Sequence, residues 1–160
     1  MLHIQEPKWI APVPGEFHTW QQLLVTGHMD VQTYPGRAQQ ASLVRVMENF
    51  IDPLCRHLGM PARITSGWRS KFVNIRIRGA KGSKHTKGQA VDFGFKGLSS
   101  FDIAALVVEL GLDYDKLIAY HPEVGGHVHV SWVSETANRN RMLECFRDDD
   151  GDKAYRVYTP

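Results

Sequence analysis

The sequence predicts an α+β domain in which a small antiparallel sheet is flanked by helices. Two kinds of periodicity predict it. Leu43, Val46, Met47, Phe50, Ile51, Leu54 and Leu58 follow the spacing of a helix with one buried stripe. Residues 89–95 and 127–132 instead alternate in character with the period of two of half-buried strands. A chain of 160 residues, 42% apolar and 22% charged, has the size and composition of one soluble domain with one core.

The elements follow in order along the chain. Residues 1–35 contain Pro7, Pro12, Pro14 and Pro35 and little periodicity, and read as an N-terminal arm packed on the domain. Within the arm, Phe17, Trp20, Leu23 and Leu24 share one face of a short helix. The stripe that begins near Gln39 is interrupted by Pro53, which predicts a kink, or a fresh start with Asp52 as cap and Pro53 in the first turn. Gly59 is placed to end it. A short strand is expected at Arg63–Thr65, then Ser66-Gly67-Trp68-Arg69-Ser70, then a Gly- and Lys-rich loop from Gly79 to Gly88. Ser99 or Ser100 caps a helix with Ile103, Leu106, Val107 and Leu110 on its apolar face, stopped by Gly111. Lys116 to Tyr120 reads as another strand. Beyond Trp132 a short helix is expected to Phe146, closing a domain that spans 36–147, followed by a solvated acidic turn at 148–152 within a C-terminal tail, 148–160. That turn is no EF-hand loop, because Phe146 stands at the first ligand position and the bidentate Glu is absent.

Composition excludes several function classes. Two cysteines far apart, Cys55 and Cys145, rule out a cysteine-built zinc site or a disulfide framework. No apolar run approaches the roughly 18 residues that cross a bilayer, so no membrane insertion is expected. The first residues, Met1 to Lys8, show neither a basic n-region nor an apolar h-region, so synthesis in the cytoplasm without a signal peptide is expected. The net charge of +2 is too small to argue for a polyanion, and no basic stripe with interleaved aromatics appears. A metal-dependent nuclease is therefore a weak reading, and no nucleic-acid partner is expected. The histidines say more: four of the eight lie between His85 and His129.

Strand alternation places chemistry on defined faces. His127, His129 and Ser131 share one side of their strand, while Val128, Val130 and Trp132 face the core. On the other strand Asp92 stands opposite to Val91, Phe93 and Phe95, and a carboxylate there is costly to bury unless it is paired or binds a cation. His85, seven residues earlier, can fold back over the same face. A triad of His, Asp and His with one open position is the donor set of a catalytic zinc site. The strand argument alone leaves His127 and Asp92 as alternatives for the third ligand. No nucleophile motif competes with this reading: neither cysteine sits in one, and there is no Gly-x-Ser-x-Gly elbow.

Ser83-x-His85-x-x-Gly88-x-Ala90-x-Asp92, preceded by Ser66-Gly67-Trp68-Arg69-Ser70 and Asn74 and followed by His127-Val128-His129-Val130-Ser131, resembles the zinc D-alanyl-D-alanine carboxypeptidase family. This family belongs to the peptidoglycan metallopeptidases that share the hedgehog-like fold. The likeness spans roughly residues 17–145, and the short arm most resembles bacteriophage members. The resemblance implies a Zn2+ cofactor held by His85, Asp92 and His129. It implies that Ser83 and Arg69 hold the substrate, with Arg69 near the carbonyl oxygen or the terminal carboxylate. Trp68 stands where most relatives carry Tyr. Many relatives place a catalytic Glu or Asp three residues before the last zinc histidine, where this chain has Gly126. The general base is then expected from His127, with Glu123 next and His121 also within reach of the loop.

The expected function is zinc-dependent hydrolysis of an amide bond in peptidoglycan stem peptides, of the D-Ala-D-Ala carboxypeptidase type, by a monomer. A phage endolysin-type endopeptidase cutting another bond of the same peptide is the near alternative. A non-catalytic zinc-containing cell-wall-binding or virion protein is the alternative from another class, with Gly126 marking lost activity. The phage resemblance implies release to the cell wall by a holin, or carriage in a virion.

Overall fold

The computed structural model describes residues 7–160, so residues 1–6 of the arm lie outside the described residues. The fold is α+β. Five α-helices are α1 (Trp20–Leu24), α2 (Arg37–Val46), α3 (Asp52–Leu58), α4 (Lys71–Arg76) and α5 (Ser100–Glu109). Six strands, β1 (Arg63–Ser66), β2 (Ala90–Gly94), β3 (Lys116–Tyr120), β4 (Val128–Ser131), β5 (Arg141–Arg147) and β6 (Lys153–Val157), form one sheet in the order β1-β2-β4-β3-β5-β6. All neighbouring pairs are antiparallel except β3 and β5, which run parallel.

Local chemistry explains where the helices begin and end. Thr19 and Gln22 form a reciprocal capping box at the start of α1, as Ser99 and Asp102 do for α5. Between α2 and α3 the chain makes a π-helical turn, Met47–Ile51, immediately before Pro53. Proline lacks an N–H and crowds the preceding turn, and the wider turn accommodates both without breaking the stripe. The side chain of Asp52 does not cap α3; Oδ2 instead accepts a hydrogen bond from the Glu16 N–H at 2.8 Å. Gly59 ends the helix at φ 65°, a backbone angle that an L side chain rarely adopts.

The core lies between one face of the sheet and the helices. Val91, Phe93, Leu117, Val128 and Val130 on the sheet meet Leu43, Phe50, Leu54, Ile103 and Val107. The strand alternation thus sends apolar residues to the core and leaves Asp92 and His129 on the opposite face, where they stand directly opposite each other across β2 and β4.

The segment before Phe146 is a strand, not the expected short helix. Met142, Leu143, Glu144 and Cys145 are all buried, because β5 is covered on both faces, and such a strand lacks the alternation that would announce it. Its pairing with β3 comes from a distant part of the chain, and that pairing overrides local preference. The acidic turn forms as expected: Asp148 Oδ1 accepts from the N–H groups of Asp150 and Asp152. It joins β5 to β6, which lies within the segment read as a tail and occupies the sheet edge. No helix among the described residues is long and apolar enough to cross a membrane.

A buried glutamine ties the arm to the loop between β1 and α4. Gln32 Nε2 donates to the carbonyls of Leu24 and Trp68, and its Oε1 accepts from the Ser70 N–H. Trp9 stacks on Trp20 with ring centroids 4.6 Å apart. The Trp68 N–H donates to the Leu23 carbonyl at 2.7 Å, which presses the backbone of Gly67 against α1. A Cβ at Gly67 would sit 2.6 Å from the Leu23 carbonyl oxygen and 2.9 Å from its Cα. Because backbone cannot swing aside as a side chain can, Gly67→Ala is expected to lose about 1–3 kcal/mol of stability. A thermal unfolding scan would show this as a lower midpoint.

Glu144 on β5 joins three elements, accepting from Arg156 on β6 and bonding the His121 ring at 2.7 Å. Burial works against its carboxylate, but Arg156 and His121 outweigh burial and hold the carboxyl below its ordinary value of 4.5. A carboxyl depressed in the folded state contributes stability above its unfolded value, and that contribution is lost as pH falls through the folded value. Glu144→Gln is therefore expected to lower the unfolding midpoint at pH 7. The gap to the wild type should close under acid conditions.

Candidate metal centre

Three side chains from three elements converge over the polar face of the sheet. Asp92 projects from β2 and His129 from β4, while His85 is presented by a short 3-10 turn, Lys84–Lys87, that leads into β2. One ligand atom from each of His85, Asp92 and His129 lies within 4.8 Å of the others, and this is the one such group among the described residues. Asp92 Oδ1 is 2.7 Å from His129 Nδ1 and 3.3 Å from His85 Nε2. A tetrahedral zinc ion with bonds of about 2.0–2.2 Å spaces its ligand atoms by about 3.4 Å, so the donor set fits with only a slight opening at the His129 edge.

The backbone prepares His85 for this role. Its Nδ1–H donates to the Gly67 carbonyl at 2.8 Å, which fixes the ring orientation and leaves the Nε2 lone pair directed at the cluster. The 3-10 turn closes at Gly88, whose φ is 69° and whose Cα packs against the backbone of α2: a Cβ there would meet the Gln39 carbonyl oxygen at 2.3 Å. His85 is thus held by the Gly67 loop on one side and by α2 on the other.

The electrostatics suit a cation. Burial works against the Asp92 carboxylate, but His85 and His129 beside it prevail and hold its carboxyl far below the usual range. Burial pushes the His129 imidazole down from its ordinary value, and Asp92 only partly restores it. Asp92 is accordingly ionised and His129 neutral at pH 7, which are the protonation states in which they coordinate metals.

The other expected site residues divide into two groups. Arg69 and Ser83 line the same cleft of about 570 Å³ as the cluster. The Arg69 guanidinium donates to Ser66 Oγ at 3.2 Å and stands 3.9 Å from Asp92 Oδ2. His127 and Glu123 lie outside the cluster. The His127 ring stacks on Tyr120 at 4.1 Å, and burial lowers its pKa below the ordinary value. Glu123, largely exposed, faces His121 at 3.7 Å, and His121 turns its other ring nitrogen to Glu144.

Sequence reasoning missed Tyr120 and Tyr155, which line the cleft from β3 and β6. Alternation along Lys153–Val157 was the one available signal for Tyr155, and the adjacent acidic turn masked it. Cluster geometry leads to a direct expectation. His129→Ala and Asp92→Asn should each weaken zinc binding by more than the roughly 10–100-fold that a lost outer-sphere partner costs. His127→Ala should leave it intact, as read by competition with a chromogenic chelator.

A family model described as Peptidase M15 matches residues 19–131, a span that contains the whole cluster together with Arg69 and Ser83. Comparison with curated proteins finds no match. The matched span exceeds half of the chain and ends on β4, the strand that carries His129. With a His-Asp-His cluster where strand pairing brings β2 and β4 together, the chain belongs to the peptidase M15 family of zinc-dependent peptidases.

Proposed function

We propose that this protein hydrolyses an amide bond in peptidoglycan stem peptides, cutting next to a D-alanine in the manner of a D-Ala-D-Ala carboxypeptidase. The observation that carries the reading is the convergence of His85, Asp92 and His129 in a cleft that Arg69 also lines. These three residues would hold the zinc ion. When bound, zinc supplies Lewis-acid polarisation of the peptide carbonyl and of water.

The remaining roles fall to the chain's own side chains. Arg69 carries a permanent positive charge into a largely buried position, anchored by Ser66 Oγ. Its fork is suited to a carbonyl oxygen gaining negative charge, or to the terminal carboxylate of the substrate. Ser83, on the same cleft wall, offers a hydroxyl that caps no helix and is available to a peptide group. His127 is the general base in this proposal: burial favours its neutral form, so it can accept a proton at pH 7. The π-stack on Tyr120, a residue that lines the cleft, fixes its ring plane. Glu123 is the less suitable base, since it faces His121.

Incubation of the zinc-loaded protein with purified peptidoglycan, followed by mass spectrometry of the soluble fragments, tests this reading. Release of terminal D-alanine is the expected result. Cut cross-links without D-alanine release would identify an endopeptidase instead, and absence of any product with zinc bound would overturn the enzyme reading.

A further inference from the structure

A second cleft, of about 670 Å³, adjoins the candidate centre. Lys81 and Gly82 line both clefts, so the loop that carries them forms a shared wall. The second cleft has Trp68 and Ile75 as apolar surface and Lys71, Arg78 and Lys81 as cations. Among the described residues these three cations have no ion-pair partner, whereas Arg56 pairs with Glu16, Arg76 with Asp30 and Arg69 with Asp92. The lack of compensation is built into the chain: between Asp52 and Asp92 there are nine Lys or Arg residues and no Asp or Glu.

The cleft is shaped by specific contacts rather than by loose loops. Asn74 Nδ2 donates to the Ala80 carbonyl, and the Gly79 N–H donates to the Asn74 carbonyl, so α4 holds the shared loop in place. Arg78 adopts φ 53°, an uncommon angle for a residue with a side chain, at the turn where α4 gives way to that loop. Uncompensated cations around an apolar surface attract an anionic ligand and gain little from a neutral one.

We infer that this second cleft binds a carboxylate-bearing segment of the same peptide whose scissile bond lies at the metal cluster. The inference rests on the proposed peptidase function for its choice of ligand. A peptide is favoured over a phosphate polymer because the two clefts share Lys81 and Gly82, so that one extended chain reaches both, and because Trp68 and Ile75 offer surface to side chains. Lys71 and Arg78 take the carboxylates, and Lys81 bridges the two clefts. The basic cleft thereby makes the protein selective for stem peptides whose side-chain carboxylates are free rather than amidated.

Two measurements on the zinc-loaded protein separate this inference from the function beneath it. The first is calorimetric titration with a synthetic D-alanine-terminated peptide bearing two free side-chain carboxylates, and with its amidated counterpart. The free acid is expected to bind about tenfold more tightly, a preference that shrinks at high salt. Lys71→Gln combined with Arg78→Gln should abolish the preference, while Arg63→Gln combined with Lys96→Gln, a charge-matched control at residues that line neither cleft, should keep it. Equal affinity for the two peptides would overturn the inference, as would a preference that the cleft variant retains. So would binding of soluble polyphosphate that depends on Lys71 and Arg78 when the peptide does not bind. The second measurement is D-alanine release from both peptides. Its failure, with the binding preference intact, would count against the proposed function and leave the binding site standing.

Discussion

The candidate centre depends on one cross-strand pair, Asp92 on β2 opposite His129 on β4. A carboxylate on a strand whose alternate residues are Val91 and Phe93 is stable only with a positive or coordinating partner. His129 is that partner, at 2.7 Å. A one-residue slip of either strand would turn its member of the pair into the core. The register is held by the burial of Val91, Phe93, Val128 and Val130 on the opposite face, so packing of the core and assembly of the site are the same constraint.

His85 joins this pair through tertiary contacts that begin far away. Gln32 links the arm to Trp68 and Ser70, α1 presses on Gly67, and the Gly67 carbonyl holds the His85 ring. The N-terminal arm is thus an outer support of the site as well as a cover for the core. On the far side, α2 packs so closely on Gly88 that the 3-10 turn carrying His85 has little freedom to move. The metal cluster sits on a strand pair, and its third member is clamped by a helix and an arm.

Charge is distributed unevenly about this frame. Among the described residues Asp92 is the only acidic one lining the central cleft, and its negative charge is shared among two imidazoles and the Arg69 guanidinium. Beyond the cluster the surface turns basic, through Lys84 and Lys81 towards Lys71 and Arg78. On the opposite flank, His121 lies between Glu123 and Glu144, and Glu144 carries the link to β6. A peptide approaching the centre therefore meets cations on the side of α4 and a partly neutralised, aromatic wall on the side of β6.

The helical stripe, strands β2, β3 and β4, and the assignment of apolar residues to one face were legible in the sequence, because these are periodicities of the backbone. The same alternation put Asp92 and His129 on the polar side, the short span from His85 to Asp92 put His85 within reach of them, and family likeness added Arg69 and Ser83. That residues 141–147 form a strand depends on long-range pairing, since a strand buried on both faces has no alternation to read and its partner lies over twenty residues away. The tertiary structure also brought Tyr155 to the cleft and turned Glu123 towards His121, through pairings that no local pattern encodes. Local sequence sets which face a side chain takes, whereas which faces meet depends on contacts between distant segments.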